Sequence, residues 1–241
     1  MNRIWLIILM IVLPVMHTHA TDRPAKLSKK GSISLLTCDP GKDLYSAFGH
    51  SAIRVKDPAS NLDVVYNYGT FNFDEPNFYM KFIRGNLDYY LSMTRYKYFL
   101  MAYQRERREI REQVLNLTHN EANQLFTFLQ NNHKPENRYY PYDFFFDNCA
   151  TRIRDAFKET LGEKLVFDKT MAYSDYTFRD LLDQYLQERR WAQFGINILL
   201  GQRTDRIAKP MEYMFLPDYV EQAMDDAIIK EQGRIKPLVD I

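Results

Sequence analysis

Apolar and polar positions along this chain follow two periods, and the switches between them mark out the elements. An apolar run at 32–37 ends in Cys38-Asp39-Pro40-Gly41, a turn-forming string, so a buried strand closed by a turn is predicted there. Two runs rich in β-branched and aromatic residues, 51–56 and 63–68, flank a Pro-, Ser- and Asn-bearing connection at 57–62 and predict a hairpin. Residues 87–93 read as a further strand, and the charge-alternating stretch 107–117 as a strand or a helix. Residues 76–84 carry a helical pattern that stops at Gly85. Thr118 followed three residues later by Glu121 is a capping box, and Ala122, Leu125, Phe126 and Leu129 then recur on one face, which predicts a helix over 119–132. Segments 178–189, 191–200 and 218–231 are helical by pattern. No internal repeat is visible, and the mixture predicts an α+β fold with one long domain.

The first residues follow a different order. Arg3 precedes an apolar run at 4–15, and Thr18 and Ala20 stand at the −3 and −1 positions of a cleavage site, which is the layout of a secretory signal over 1–20. An uncleaved anchor is the alternative, although a comfortable span needs about 20 apolar residues. The polar, basic stretch 21–31 reads as a tether, and 32–241 as a single domain whose part from 166 onward is a helical extension. Export of this kind places the domain in an oxidising compartment.

Composition narrows the partners. With 46% hydrophobic and 26% charged residues, the chain of 241 residues is of the globular class. Lys and Arg number 32 against 31 Asp and Glu, so no basic excess exists to bind a phosphate backbone, which argues against nucleic acid. The 17 Tyr and 16 Phe suit an amphipathic groove or a surface that meets lipid. The mixed charges of 105–112 read as a solvated face. Outside the signal only His50, His119 and His133 remain, too scattered for a zinc site, and no cofactor is implied.

Candidate chemistry centres on 142–162. Asp147 or Asn148 is a good N-cap, and Ile153, Ala156, Phe157, Thr160 and Leu161 share one helical face, so a helix starts at or next to Cys149. There the helix dipole and unpaired N–H groups lower a thiol pKa and can hold an oxyanion. The plainer alternative is a buried cysteine, or a disulfide with Cys38, the default for two cysteines in an oxidising compartment. His119 and His133 sit at helix ends and read as exposed. His50 opens the strand 51–56, shares a face with Ala52 and Arg54, and is either a structural residue or a general base for Cys149. Asn67, on the paired strand, is placed to fix the imidazole tautomer or is simply a strand-end residue.

The strings LLTCDPGKDLYSAFGHSAIRV (35–55), VYNYGTFNF (65–73), FYMKFIRGNLDYYLS (78–92), FFDNCATRIRD (145–155) and NILLGQRTDRIAKPMEYMFLPDYV (197–220) resemble the DUF4105 family, the periplasmic domain of Lnb-type lipoprotein N-acyltransferases. The order His50, Asn67, Cys149 is also similar to that of the circularly permuted NlpC/P60 and lecithin–retinol acyltransferase group. The resemblance implies an α+β, circularly permuted papain-like core with an antiparallel sheet and a helical C-terminal part. It implies Cys149 as acyl-accepting nucleophile, His50 as base and Asn67 as its orienter, and it sets Cys38 in the family's LLTC element. The implied donor is a phospholipid and the implied acceptor the α-amine of a lipoprotein, at the outer face of the inner membrane. A thiol hydrolase (a cell-wall amidase or peptidase, or a lipase) and a non-catalytic envelope binding domain are the alternative functions. Proteins of this type are expected to continue into membrane-spanning helices, and no second apolar run of that length precedes Ile241.

Overall fold

The computed structural model describes residues 26–72, 74, 76, 87–168, 175–231 and 233–240. The signal at 1–20 and nearly all of the helix expected at 76–84 lie outside them. Five of the strands are β1 (Ser32–Cys38), β2 (His50–Asp57), β3 (Leu62–Thr70), β4 (Asp88–Arg95) and β5 (Ile110–Val114). With β6 (Tyr139–Pro141) they form one antiparallel sheet in the order β5-β1-β2-β3-β4-β6. The expected hairpin is β2–β3, paired Ile53↔Tyr66 through Asp57↔Leu62. The ambiguous stretch 107–117 resolves as β5, on the edge beside β1.

Alternation along these strands sorts the core into two sides. Ile33, Leu35, Ile53, Val55, Val64, Tyr66 and Tyr68 join a cluster with α2 (His119–His133) and α3 (Cys149–Leu161). The other side carries Leu36, Cys38, Ala52 and Val65, packed with Phe99 of α1 (Tyr96–Glu106). Sequence pattern did not single out α1, because Phe99 is the only side chain that it buries and no apolar stripe announces it. The capping box of α2 forms as expected, with Thr118 and Glu121 bonded reciprocally.

Three expectations change. The ordered chain begins before residue 32: Leu27 is in the core, its N–H donates to Asn123 Oδ1, and the Ser28 hydroxyl donates to Asp57. The mixed charges of 105–112 are not simply solvated, since Glu112 accepts from Arg54, which lies over the Tyr96 ring, and Arg111 joins Asp39, Asp218 and Glu221. Helix α6 (Pro217–Asp225) stops six residues short of 231, and Ile228–Glu231 is instead strand β8 in a three-stranded sheet with β7 (Leu165–Val166) and β9 (Arg234–Pro237). Ile228 and Ile229 favour a strand, and Gly233 at φ +79° supplies the left-handed residue that the turn into β9 needs.

Helices α4 (Phe178–Leu186) and α5 (Arg190–Leu200) belong to the helical C-terminal part, where Phe145, Phe178, Leu181, Leu182, Tyr213 and Phe215 form a second cluster. The molecule is thus α+β, with antiparallel sheets and several helices. Among the described residues no helix is long and apolar enough to cross a membrane.

Candidate active site

Asn148 fixes the start of α3. Its Oδ1 accepts from the N–H groups of Ala150 and Thr151, both at 2.9 Å, and Thr151 Oγ1 accepts from the Asn148 N–H at 2.8 Å. The amide nitrogen donates to the carbonyls of Phe144 and Phe215, each at 2.8 Å, which ties the cap to the second core cluster. Cys149 therefore occupies the first helical position, as its sequence context predicts. Ile153, Ala156 and Phe157 on the next turns are buried against β2 and β3 and hold the helix on the sheet.

The thiol comes to the sheet where its ladder opens. The β2–β3 pairing runs no further toward His50 than Ile53↔Tyr66, and β3 carries an irregularity between Asn67 and Thr70. Gly69, within it, has φ +86°, and a Cβ there would stand 3.5 Å from that of Cys149. In that gap the backbone N–H of Ser51 reaches Cys149, as do those of Ala150 and Cys149 itself. All three favour the thiolate, but enclosure by protein outweighs them and raises the thiol pKa. The low-pKa thiol expected from the helix dipole is thus not found, because burial was invisible in the sequence.

His50 and Asn67 meet. His50 Nε2 lies 3.3 Å from Asn67 Oδ1. An amide oxygen only accepts, so with this orientation the ring proton is on Nε2 and the lone pair on Nδ1. Burial pushes the imidazole pKa down to about 4, the Asn67 bond opposes that, and the positive charge of Arg108 adds to it. His50 is the cross-strand partner of Cys38 and projects on the α1 side of the sheet, whereas α3 packs on the side of Ile53. No hydrogen bond joins His50 to the Cys149 thiol among the described residues. Ser51, next to His50 in the chain, makes the contact with Cys149 through its backbone. His119 is at the start of α2 and His133 at its end, and His133 packs edge-on against Tyr66.

Near the site Tyr103, Arg108 and Tyr142 were missed, and Cys38 was read only as a disulfide alternative and as part of the LLTC element. Cys38 is free and fully buried, and burial pushes its thiol up to about 12. It hydrogen-bonds Tyr103 of α1, whose ring lies under the Arg108 guanidinium at 4.5 Å. Tyr142 is enclosed close enough to Cys149 for their charges to interact, and it stacks on Tyr89 at 4.1 Å. Only the Cys38 end of this group carried a signal, its place at the end of a buried strand. Cys149 is also free, so the disulfide alternative is not formed. Among the described residues no group of three or more His, Cys, Asp or Glu side chains is placed to hold a metal.

Against that geometry, the family model described as the Lnb N-terminal periplasmic domain matches residues 23–185, more than half of the chain and all of Cys149, His50 and Asn67. The chain belongs to this family. As an Lnb periplasmic domain it is a periplasmic Lnb-like protein, and the match covers the main sheet, α1 to α3 and most of α4. Comparison with curated proteins and with solved structures returns no match.

Proposed function

We propose that this Lnb-family domain is a cysteine-dependent acyltransferase, in which Cys149 takes an acyl group from a phospholipid as a thioester and passes it to the α-amine of a lipoprotein at the outer face of the inner membrane. The observation that carries the reading is the Cys149 sulfur at a capped helix start, ringed by backbone N–H groups and one residue along the sheet from a histidine whose tautomer is held by Asn67. The chain order His50, Asn67, Cys149 is that of the permuted papain-like group, which supports the same roles.

The resting pair is neutral on both sides, so the chemistry runs by general-base catalysis. His50 takes the thiol proton on Nδ1 as the sulfur attacks the ester carbonyl, a transfer for which ring and thiol, not bonded at rest, come within hydrogen-bond reach in the substrate complex, and the N–H groups of Cys149 and Ser51 stabilise the oxyanion. Collapse expels the lysophospholipid alkoxide, which receives that proton from the imidazolium. The amine then attacks the thioester, gives its proton through His50 to the departing sulfur and restores the thiol. A file of aromatic rings runs from exposed Tyr45 to Cys149. Tyr45 meets Phe71, Phe71 meets Tyr89, and Tyr89 stacks on Tyr142 beside Cys149. Such a file suits an acyl chain and disfavours water as acceptor.

Intact-mass spectrometry of the protein incubated with phospholipid vesicles tests the reading. A mass gain of one acyl chain on Cys149, discharged by an amine-bearing lipopeptide faster than by water, is expected. Discharge by water alone makes the protein a thiol hydrolase, and no mass gain makes it a binding domain.

A further inference from the structure

Helix α5 (Arg190–Leu200) buries no side chain, and its outward face is apolar. Trp191, Phe194, Ile198 and Leu199 are 88%, 61%, 62% and 75% exposed. At 100° per residue they span an arc of about 140° that holds no charged side chain. Ile196 and Leu200 pack inward on the cluster around Phe178, so the helix is seated on the domain and shows its greasier side to solvent. Exposure of four large apolar side chains on one helix face marks an interaction surface.

The rim says which partner. Residues 188–209 hold five basic and two acidic side chains, although the whole chain carries a net charge of +1. Arg203, at the far end of α5, has a side chain 73% exposed, at the 4.0 Å limit of an ion pair with Asp143. At the near end a concavity of about 330 Å³ lies among Lys42, Leu44, Arg190 and Trp191. Arg189 ties this corner to the loop that leads into His50, donating to the carbonyls of Gly41 and Asp43. Exposed Leu44 and Tyr45 continue the apolar surface there, and Tyr45 is the first ring of the file toward Cys149. A second copy docking face to face about a twofold axis would press two basic rims together. Anionic headgroups complement the same rim, and a tryptophan between arginines and an apolar stripe is the residue that favours a bilayer interface.

We infer that α5 lies in the surface of an anionic phospholipid bilayer, with Trp191, Phe194, Ile198 and Leu199 inserted and Arg190, Arg203 and Lys42 at the headgroups. This deepens the acyltransfer reading and rests on it for its purpose: the helix delivers the Tyr45 end of the aromatic file to the lipid that supplies the acyl chain.

In the full chain carrying Trp5→Phe, Trp191 is the single tryptophan and reports on α5 alone. Its emission should shift to the blue, and be quenched by brominated acyl chains, on vesicles of phosphatidylcholine and phosphatidylglycerol in equal parts. Pure phosphatidylcholine should bind several times more weakly, and Arg203→Gln should weaken partition to the anionic vesicles about fivefold. Ile198→Glu, at an exposed position, should abolish the shift while leaving the melting temperature in place. No shift on either vesicle, equal insertion into both, or a shift that grows with protein concentration without lipid would overturn the inference.

A second readout separates this from the acyltransfer reading. Ile198→Glu should acylate Cys149 at the wild-type rate from a water-soluble nitrophenyl ester and at least about tenfold more slowly from vesicles. Equal rates from vesicles overturn the docking helix and leave acyl transfer standing. Insertion of Trp191 with no acylation from either donor supports the docking helix and removes acyl transfer.

Discussion

Cys38 and Cys149 lie at the same end of the six-stranded sheet, near enough that the charge on one raises the pKa of the other, yet their settings are opposite. Cys38 is the last residue of β1, fully buried, with Tyr103 as hydrogen-bond partner and His50 across the ladder. Cys149 is the first residue of α3, half-buried, with backbone N–H groups around its sulfur. Burial raises both pKa values, but only at Cys149 do backbone N–H groups stand around the sulfur, as the acyltransfer proposal requires. Secondary structure makes that difference. A residue within a ladder has its neighbours' N–H groups committed to carbonyls, whereas the first turn of a helix has N–H groups with no intrahelical partner, and the Asn148 cap takes those of Ala150 and Thr151 but not that of Cys149.

The sharpest way to break the comparison is to remove each sulfur. Cys149→Ala should abolish acyl uptake, and Cys38→Ala should leave it, as read by intact mass after exposure to phospholipid. Uptake by the Cys149→Ala protein would end the assignment. Next in size is the base: His50→Ala should slow acylation by about 10² to 10⁴, the usual worth of a positioned base. Asn67→Ala should cost about tenfold, since it orients the ring and transfers no proton. A wild-type rate in His50→Ala, with loss of activity on changing His133, would move the base elsewhere.

The pH dependence sharpens the picture further. His50 binds its proton at an ordinary 6.5 when unfolded and at about 4 in the fold, so between those values the unfolded chain holds more protons. Its contribution to stability is complete above pH 6.5 and is lost as pH falls toward 4. Over that window the loss is about 3 kcal/mol. His50→Gln should flatten the fall in melting temperature over that window, and an unchanged slope would show that the imidazole is solvated. Acylation should share the acid limb near pH 4, and iodoacetamide should modify Cys149 readily only above the ordinary thiol range.

What could be read from the sequence was local. The hairpin β2–β3, the capping box of Thr118 and Glu121, and the start of α3 at Cys149 each depend on residues within a few positions of one another. The pairing of His50 with Asn67 followed from the same hairpin. Helix α1 and strand β8 escaped because tertiary packing defines them: one offers a single buried side chain, and the other is four residues long. The direction of the Cys149 pKa escaped for the same reason, since local rules supply the dipole and the N–H groups but not the enclosure that outweighs them. The place of Cys38 beside His50 needed the strand order β5-β1-β2, which no local pattern specifies.

The smallest expected effect falls on Cys38. Its sulfur fills space between the sheet and α1, beside Leu36, Ala52 and Phe99, and its partner Tyr103 is buried with it. Cys38→Ala removes one buried atom and one hydrogen bond, which should cost about 1 to 2 kcal/mol, visible as a lowered melting temperature with activity retained. A thiol with its pKa near 12 and no solvent contact is almost wholly protonated at neutral pH, so it is a poor partner for disulfide exchange even in an oxidising compartment. Non-reducing peptide mapping of protein purified from the periplasm should therefore recover both cysteines free, with Cys38 alkylated only after denaturation. A stoichiometric Cys38–Cys149 bridge in that map would erase the contrast between the two sulfurs and leave Cys149 a structural residue.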